Sequence, residues 1–416
     1  MLAVTKFGGS SLSNATQFSK VKNIVLSDPK RKIVVCSALG KRDKSDTKIT
    51  DLLYILHAHL KFSVSYQDIW TMLYDRFTGV QNELGIDYDI KSDLDALKNE
   101  LNKSISEEYL VSRGEYLTSK LMAAYLGYHW VDAKDLLRYN YDGKLDEQLT
   151  ERNVNLAFSK YGKIVVPGFY GAYPNGSVKL LSRGGSDVTG AILAKALNAT
   201  VYENWTDVSG VLSADPRLVK SPKAIKEITY AELRELSYMG ASVLHEETVF
   251  PVQQLNIPIN LRNTNEPDNP GTIIREVCED TTQTVTGIAG KKDFCAFNIF
   301  KGYEVSIEHV PSGIDSFSVV VPYSQVEKCQ YELATDLKKE LGADVTFEKD
   351  LALVAVVGRN MAKRAGICGK IFQALGNEKV NVRLLAQGPA ELNIIIGVAA
   401  SDYEKTIALL YDALIK

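Results

Sequence analysis

The sequence carries no excess of either charge: 48 lysines and arginines stand against 51 aspartates and glutamates, a formal net charge of −3. A nucleic-acid partner would need a basic patch or stripe, and none is legible. No apolar run approaches the roughly 20 residues that a membrane span requires, so no membrane association is expected. Cysteines are few and solitary. Cys36, Cys278, Cys295, Cys329 and Cys368 are odd in number and include no Cys-x-x-Cys pair. That argues against a disulfide framework and a structural zinc, and predicts reduced thiols in a cytoplasmic protein. His57 and His59 lie two apart and cannot share a helix face, and His245-Glu246-Glu247 lacks the second histidine of a zinc-protease motif. All five histidines are therefore read as structural, and no protein metal site is expected. The two standard nucleotide fingerprints, the P-loop spacing and Gly-x-Gly-x-x-Gly, are also missing.

What is present is a pair of other glycine turns. Lys6-Phe7-Gly8-Gly9-Ser10-Ser11 follows an apolar strand, and Ser182-Arg183-Gly184-Gly185-Ser186-Asp187 precedes a helical pattern. Adjacent glycines let backbone N–H groups approach phosphate oxygens, a following helix start adds its positive dipole end, and Lys6 and Arg183 add charge. Two such turns in one chain point to phosphoryl transfer. Arg183 with Asp187 would suit a substrate bearing both a carboxylate and an amine; as a mere surface ion pair they would contribute little and need no glycines.

With 416 residues, 45% of them hydrophobic, the chain should form at least two domains with ample core. Through roughly residue 275 strand-like runs alternate with helical patterns, which predicts an α/β fold with a parallel sheet covered by helices. The first strand is Leu2 to Thr5, and a helix from Ala15 to Leu26 should be capped near Ser13 or Asn14 and stopped at Asp28-Pro29. Lys32 to Cys36 reads as a buried strand, ending in Ser37-Ala38-Leu39-Gly40. Thr50 is placed to cap the helix running through Leu60. Residues 68 to 110 read as a helical excursion. Arg113-Gly114-Glu115 stands at the expected opening of a helix over Tyr116 to Leu126, where a carboxylate would complement the dipole. Ile164 to Pro167 is a strand, Pro174-Asn175-Gly176 a hairpin turn, Val188 to Leu197 a helix and Thr200 to Trp205 a strand.

After Thr272 the rhythm shortens. Leu351 to Val357, Gly366 to Leu375, Val380 to Ala386, Leu392 to Val398 and Asp402 to Ile415 read as βαββα, one strand short of a ferredoxin-like module. Thr284 to Ala289 is expected to supply it, completing a module over about 350–416. A second module over about 294–345 would use Cys295 to Phe300, Val305 to His309, Ser316 to Val321 and the helix Glu327 to Leu341. Between Phe300 and Val305 there is no length for a crossover helix.

Together, Lys6 to Ser11, Thr50-Asp51-Leu52-Leu53, Arg113-Gly114-Glu115, Ser182 to Asp187 and Thr206-Asp207-Val208-Ser209-Gly210 resemble the aspartokinase family across almost the whole chain. The resemblance implies an amino-acid kinase fold over residues 1–280 and two interleaved, ferredoxin-like ACT modules over 281–416, the latter also similar at Val310 to Asp315 and at Leu385 to Asn393. With no homoserine dehydrogenase following, it implies a monofunctional enzyme. Its reaction would be transfer of the ATP γ-phosphoryl group to the β-carboxylate of L-aspartate, the first step toward lysine, threonine and methionine. The implied roles are as follows: Lys6, Gly8 and Gly9 stabilise the moving phosphoryl group and Asp187 orients Lys6; Arg183 grips the substrate α-carboxylate, Glu115 its ammonium, and Ser37, Thr50 and Ser186 hydrogen-bond it. Lys6, Phe7, Gly8, Gly9, Thr206, Asp207, Leu212, Arg217, Ser242 and Val243 would bind ATP, with Mg2+ on the phosphates. Many members carry a basic residue where Ser242 stands, so Lys220, Lys223 or Lys226 would have to reach in, and Leu212 stands where an aromatic often flanks the nucleotide. Ser312, Gly313, Ile314 and Asp315 are effector candidates, L-lysine the expected effector, and a homodimer or a dimer of dimers the expected assembly. Two alternatives remain open on the residues: an effector-binding subunit with a weakened kinase domain, or another amino-acid kinase.

Overall fold

A computed structural model describes residues 1–181, 184–241, 244, 246–279, 284–297, 318–341, 345–361, 364–387 and 392–416. The chain divides into two compact units, Met1–Val211 with Leu244–Glu276, and Leu212–Val243 with Val277–Lys416. Set beside the expected division at 280, the chain passes to the second unit at Val277, and the segment Leu212–Val243 groups with that unit.

The strands up to the inserted segment are β1 (Ala3–Phe7), β2 (Arg31–Cys36), β3 (His129–Trp130), β4 (Ile164–Pro167), β5 (Tyr170–Ala172), β6 (Val178–Leu180) and β7 (Val201–Thr206). The segment itself holds β8 (Glu227–Thr229), and β9 (Ile259–Asn263) and β10 (Thr272–Arg275) return to the first unit. Within the first unit the strand order is β3-β4-β2-β1-β7-β9-β10. All of these neighbours run parallel except β9 and β10. Central strands are buried on both faces, which is why Ile33-Val34-Val35-Cys36 reads as an unbroken apolar run rather than an alternation. Burial also pushes the Cys36 thiol well above its usual range, making it an inert core group. The connections from β1 run one way to β2 and the sheet continues the other way to β7. The crevice at the carboxyl end of β1 is thus a topological switch point, where parallel sheets place ligands.

Helices α1 (Ala15–Ser27), α2 (Ile49–Phe62), α3 (Gln67–Leu84), α4 (Ile90–Glu100), α5 (Glu107–Leu126), α6 (Ala133–Leu136), α7 (Glu147–Tyr161) and α8 (Gly185–Ala196) belong to the first unit. As expected, Asn14 caps α1, its Oδ1 accepting from the Gln17 N–H at 3.0 Å, and Phe18, Val21, Ile24 and Val25 turn one face to the core. Pro174-Asn175-Gly176 makes the expected turn, joining β5 and β6 as an antiparallel hairpin. Two expectations fail. Thr50 does not cap α2, whose N-cap position is Lys48 with no side-chain cap; Thr50 sits in the first turn instead. Arg113-Gly114-Glu115 does not open a helix but lies inside α5, because Ser106 caps a start two turns earlier and Glu107 and Glu108 fill the first turn. Gly114 is tolerated there because it lets the chain of Ala38 come close: a β-carbon on it would stand 2.9 Å from the Ala38 side chain.

The second unit carries α9 (Tyr230–Tyr238), and the first unit resumes with α10 (Glu246–Gln253) before the C-terminal elements. Those are β11 (Gly287–Phe297), β12 (Val319–Pro322), α11 (Tyr323–Val326), α12 (Gln330–Leu341), β13 (Glu348–Val357), α13 (Ile367–Asn377), β14 (Leu384–Gln387), β15 (Asn393–Ala399) and α14 (Tyr403–Leu414). One antiparallel sheet runs β12-β11-β13-β15-β14. The βαββα pattern is present, and a remote strand completes it, Gly287 pairing with Val357 and Ala289 with Ala355. The expected separation of Thr284 to Ala289 from Cys295 to Phe300 is corrected: β11 is one strand, and its far half pairs Cys295 with Val321 and Phe297 with Val319. A strand that serves both modules replaces two separate ones. Val305 to His309, the short link after Phe300 and the candidates Ser312, Gly313, Ile314 and Asp315 lie outside the described residues.

The grouping of Leu212–Val243 with this sheet has a visible cause in Glu232. Fully buried at the start of α9, it closes a capping box with Thr229 and accepts from the Thr286 hydroxyl at 2.5 Å and the Arg359 N–H at 3.1 Å. A buried carboxylate with this many donors resists removal from either side.

Candidate active site

Lys6 points from β1 to the N-terminal turn of α8, where its Nζ lies 2.5 Å from Asp187 Oδ1. The pair is mostly buried, so it is held in a low-dielectric setting rather than screened at the surface. Asp187 is also gripped from β7: Asn204 Nδ2 donates to the same Oδ1 at 2.9 Å, and the Tyr202 hydroxyl donates to the Asp187 carbonyl at 3.0 Å. The strand register explains this convergence, since Lys6 stands opposite Asn204 in the parallel β1–β7 pair. Asn204 was not singled out from the sequence.

The first glycine turn folds directly over this pair. Gly8 donates its N–H to the Trp205 carbonyl at 3.0 Å, and a β-carbon on it would stand 3.4 Å from Lys6 Nζ. Gly9 begins a 3-10 turn through Leu12. Its carbonyl accepts from the Gly40 N–H at 2.9 Å, and Gly40 packs so closely that a β-carbon there would sit 2.3 Å from the Gly9 oxygen. Gly40→Ala is therefore expected to displace the first glycine turn and cut any turnover that depends on it at least tenfold while the rest of the sheet still folds, measured as kcat beside a thermal melt. Phe7 is a core residue. Its ring is fully buried against Trp205, so only its main chain is available to a ligand, and its carbonyl already accepts from the Ser37 N–H at 3.1 Å.

Arg76, which sequence reasoning passed over in the helical excursion, fixes the loop that carries Ser37 to Lys48. The guanidinium is buried and donates to the carbonyls of Gly40 at 2.6 Å, Thr47 at 3.2 Å and Ser13 at 3.5 Å, and to Asp46 at 2.8 Å. Burial alone would raise the Asp46 carboxyl, but hydrogen bonds from Arg42 and the Arg76 charge overcome it and hold it at about 2.

Glu115 reaches toward this loop from α5. It is almost wholly buried, and its Oε2 has no hydrogen-bond partner among the described residues. Burial pushes its carboxyl up to about 8, against the opposing pull of the Ala38 backbone and the Arg113 charge. A buried carboxyl with one oxygen unmet among the described residues is suited to meeting a cation. Arg113 plays another part: its guanidinium stacks on Tyr109 at 4.4 Å and Tyr116 at 4.2 Å, as core packing.

The second glycine turn enters α8 through Gly184, whose φ of +76° is the left-handed geometry that glycine provides. Ser186 is buried in the first helical turn, beneath Gly168, where a β-carbon would meet Ser186 at 2.6 Å. Ser182 and Arg183 lie outside the described residues, as do Ser242 and Val243. Thr206 and Asp207 follow β7, the Thr206 hydroxyl donating to Asp207 Oδ1 at 3.1 Å. Leu212 and Arg217 belong to the second unit; Arg217 is exposed and paired with its neighbour Asp215 at 2.6 Å. Lys223, one of the three lysines expected to stand in for a base at Ser242, donates instead to the Ile415 carbonyl at 2.7 Å. His57 pairs with Glu107 at 3.0 Å, the His59 ring shares a hydrogen bond with the Ser65 carbonyl at 2.6 Å and His129 stacks on Tyr161, all structural contacts.

The model of the amino acid kinase family matches residues 1–263, and that of an ACT domain matches residues 354–414. Aspartokinase 3 of Bacillus subtilis is 36% identical over 447 aligned positions, covering 99% of this chain and 98% of its own. The crystal structure of Clostridium acetobutylicum aspartate kinase superposes with a TM-score of 0.92 at 43% identity, covering 99% of both chains. E. coli aspartokinase III in complex with lysine and aspartate superposes with a TM-score of 0.78 at 26% identity over the whole of both chains. No helix among the described residues is long and apolar enough to cross a membrane. The paired turns around Lys6 and Asp187, the ACT sheet and these full-length likenesses agree, and the chain belongs to the aspartokinase family of amino acid kinases.

Proposed function

We propose that this chain transfers the γ-phosphoryl group of ATP to the β-carboxylate of L-aspartate, giving 4-phospho-L-aspartate and ADP. The observation that carries the reading is the buried Lys6–Asp187 pair seated under Gly8 at the carboxyl end of β1. In phosphoryl transfer the charge to be stabilised lies on the equatorial oxygens, and a preorganised ammonium beside the glycine turn meets it without reorganisation. Asp187 orients Lys6 and keeps its ammonium directed at that position. Glu115 takes the aspartate ammonium on the oxygen that has no partner among the described residues, giving up the proton that burial holds on it. Arg183 holds the α-carboxylate, and Ser37, Thr50 and Ser186 complete the substrate contacts. Thr206, Asp207, Leu212, Arg217, Ser242 and Val243 serve the nucleotide, for which Arg217 would exchange Asp215 for phosphate.

Among the described residues no three His, Cys, Asp or Glu side chains converge on a metal position. Mg2+ would enter with the nucleotide beside Lys6 and Asp187, and would supply neutralisation of phosphate charge. L-Lysine, present in the E. coli aspartokinase III complex, is the proposed effector, acting through the ACT modules, which would also join two copies of the chain.

The test is ADP formation from Mg-ATP and L-aspartate, with hydroxylamine to trap the acyl phosphate, repeated with added L-lysine. Aspartate-dependent ADP and hydroxamate are expected, suppressed by lysine. ADP formation without hydroxamate, or turnover with another amino acid in place of aspartate, would overturn the substrate; lysine binding without turnover would instead make the chain a regulatory subunit.

A further inference from the structure

We infer that Asn204 is a positioning residue for phosphoryl transfer, setting the rotamer of Asp187 and through it the location of the Lys6 ammonium. This rests on the reading of Lys6 and Asp187 above. Lys6 carries four rotatable bonds, and the 2.5 Å contact to Asp187 fixes Nζ only as well as the carboxylate itself is fixed. Asp187 stands on the first turn of α8 and retains some exposure, so solvent is open to its carboxylate. Asn204 supplies the restraint. It is 2% exposed on the rigid strand β7, it lies opposite Lys6 in register, and its Nδ2 donates to the very oxygen that Lys6 contacts, at 2.9 Å. The Tyr202 hydroxyl holds the main chain of the same residue at 3.0 Å.

The choice of an amide at 204 also has a chemical reason. The site already sets one cation against one carboxylate. A neutral donor restrains the carboxylate without adding a charge that would compete with Lys6 or repel the incoming phosphates. An aliphatic side chain would leave a lone pair unmet and Asp187 free to rotate. A carboxylate would stand against Asp187 in a poorly solvated space.

The test compares Asn204→Leu, Asn204→Asp and Asn204→Ser with the parent chain and with Lys6→Ala, recording kcat, both KM values and a thermal melt. Asn204→Leu is expected to lower kcat about tenfold with both KM values within twofold, the loss of one well-placed hydrogen bond. Asn204→Asp, nearly the same shape, should lower it further. In the Lys6→Ala background Asn204→Leu should have no additional effect on kcat, because what it positions is gone. If Asn204→Leu packs poorly, Asn204→Ser leaves room and removes the contact. Unchanged kcat in folded Leu and Ser variants, or an effect that multiplies with Lys6→Ala, would overturn the inference. If Lys6→Ala itself keeps full kcat, the catalytic reading of the pair fails instead, and the two failures are told apart.

Discussion

Glu115→Gln is expected to make the folded protein more stable and at the same time almost unable to use aspartate. The carboxyl is pushed by burial from an ordinary value near 4.5 to about 8, so between those values the unfolded chain is ionised while the folded chain keeps the proton. Below pH 4.5 both states are protonated and Glu115 costs nothing. As pH rises the folded state progressively loses stability, until the penalty levels off near pH 8. At 1.36 kcal/mol for each pH unit above 4.5, the penalty at pH 7 is about 3 kcal/mol. Glutamine has the same shape and no ionisation, so the variant should recover much of that amount at pH 7 and nothing at pH 4. Denaturant midpoints of the two proteins from pH 4 to 9 would show the gap opening with pH. A gap that is constant across the range would mean that Glu115 is not a strained acid.

The functional half of the prediction has the opposite sign. A substrate ammonium beside Oε2 restores the charged carboxylate, so binding aspartate at neutral pH should release a proton, and the apparent KM for aspartate should fall as pH approaches 8. Glutamine can offer only a neutral oxygen, and the loss of a buried charge-assisted contact should raise KM for aspartate about 100-fold and abolish its pH dependence. Calorimetry in buffers of different ionisation enthalpy measures the proton count. Binding without proton release would place the ammonium elsewhere. Stability given up for a vacant acid is the usual trade at a binding site.

Most of the fold that surrounds this site was legible in the sequence, because the signals involved are local. The apolar run into Gly8-Gly9, the Asn14 cap and the turn at Pro174-Asn175-Gly176 each act within a few residues; the cap and the turn stand where they were read, and β1 runs through Phe7, two residues past the expected end at Thr5. The remote strand was found by counting: βαββα lacks a member, and Gly287 to Ala289 fills the place beside β13. What was missed depends on partners far apart in sequence. Gly114 looks like a helix boundary until Ala38 is seen packed against it, and only the unbroken pairing of β11 shows that Ala289 and Cys295 share a strand. Arg76 and Asn204 carry no motif. One lies on an amphipathic helix, the other on an ordinary strand, and their importance comes from the carbonyls and the carboxylate that folding brings to them.

Lys6→Ala is expected to lower kcat by two to three orders of magnitude while leaving KM for aspartate within about threefold. Removing one preorganised charge from a water-poor site costs about 3–4 kcal/mol of transition-state stabilisation, and its contribution in the ground state is smaller because the charge on the equatorial oxygens has yet to develop. The variant also leaves Asp187 without its cation. The carboxylate keeps Asn204 as donor and some contact with solvent, so the fold should survive with a modest loss of melting temperature. Asp187→Ala should act in the same direction by freeing Lys6 from its anchor, and the double variant should be no slower than the worse single one, since the two side chains form one unit. Steady-state kinetics of the three variants, each with its melt, decide the matter. A folded Lys6→Ala protein that turns over at the parent rate would move phosphoryl stabilisation away from β1, and a double variant slower than either single one by the product of their effects would mean that Lys6 and Asp187 act separately despite lying 2.5 Å apart.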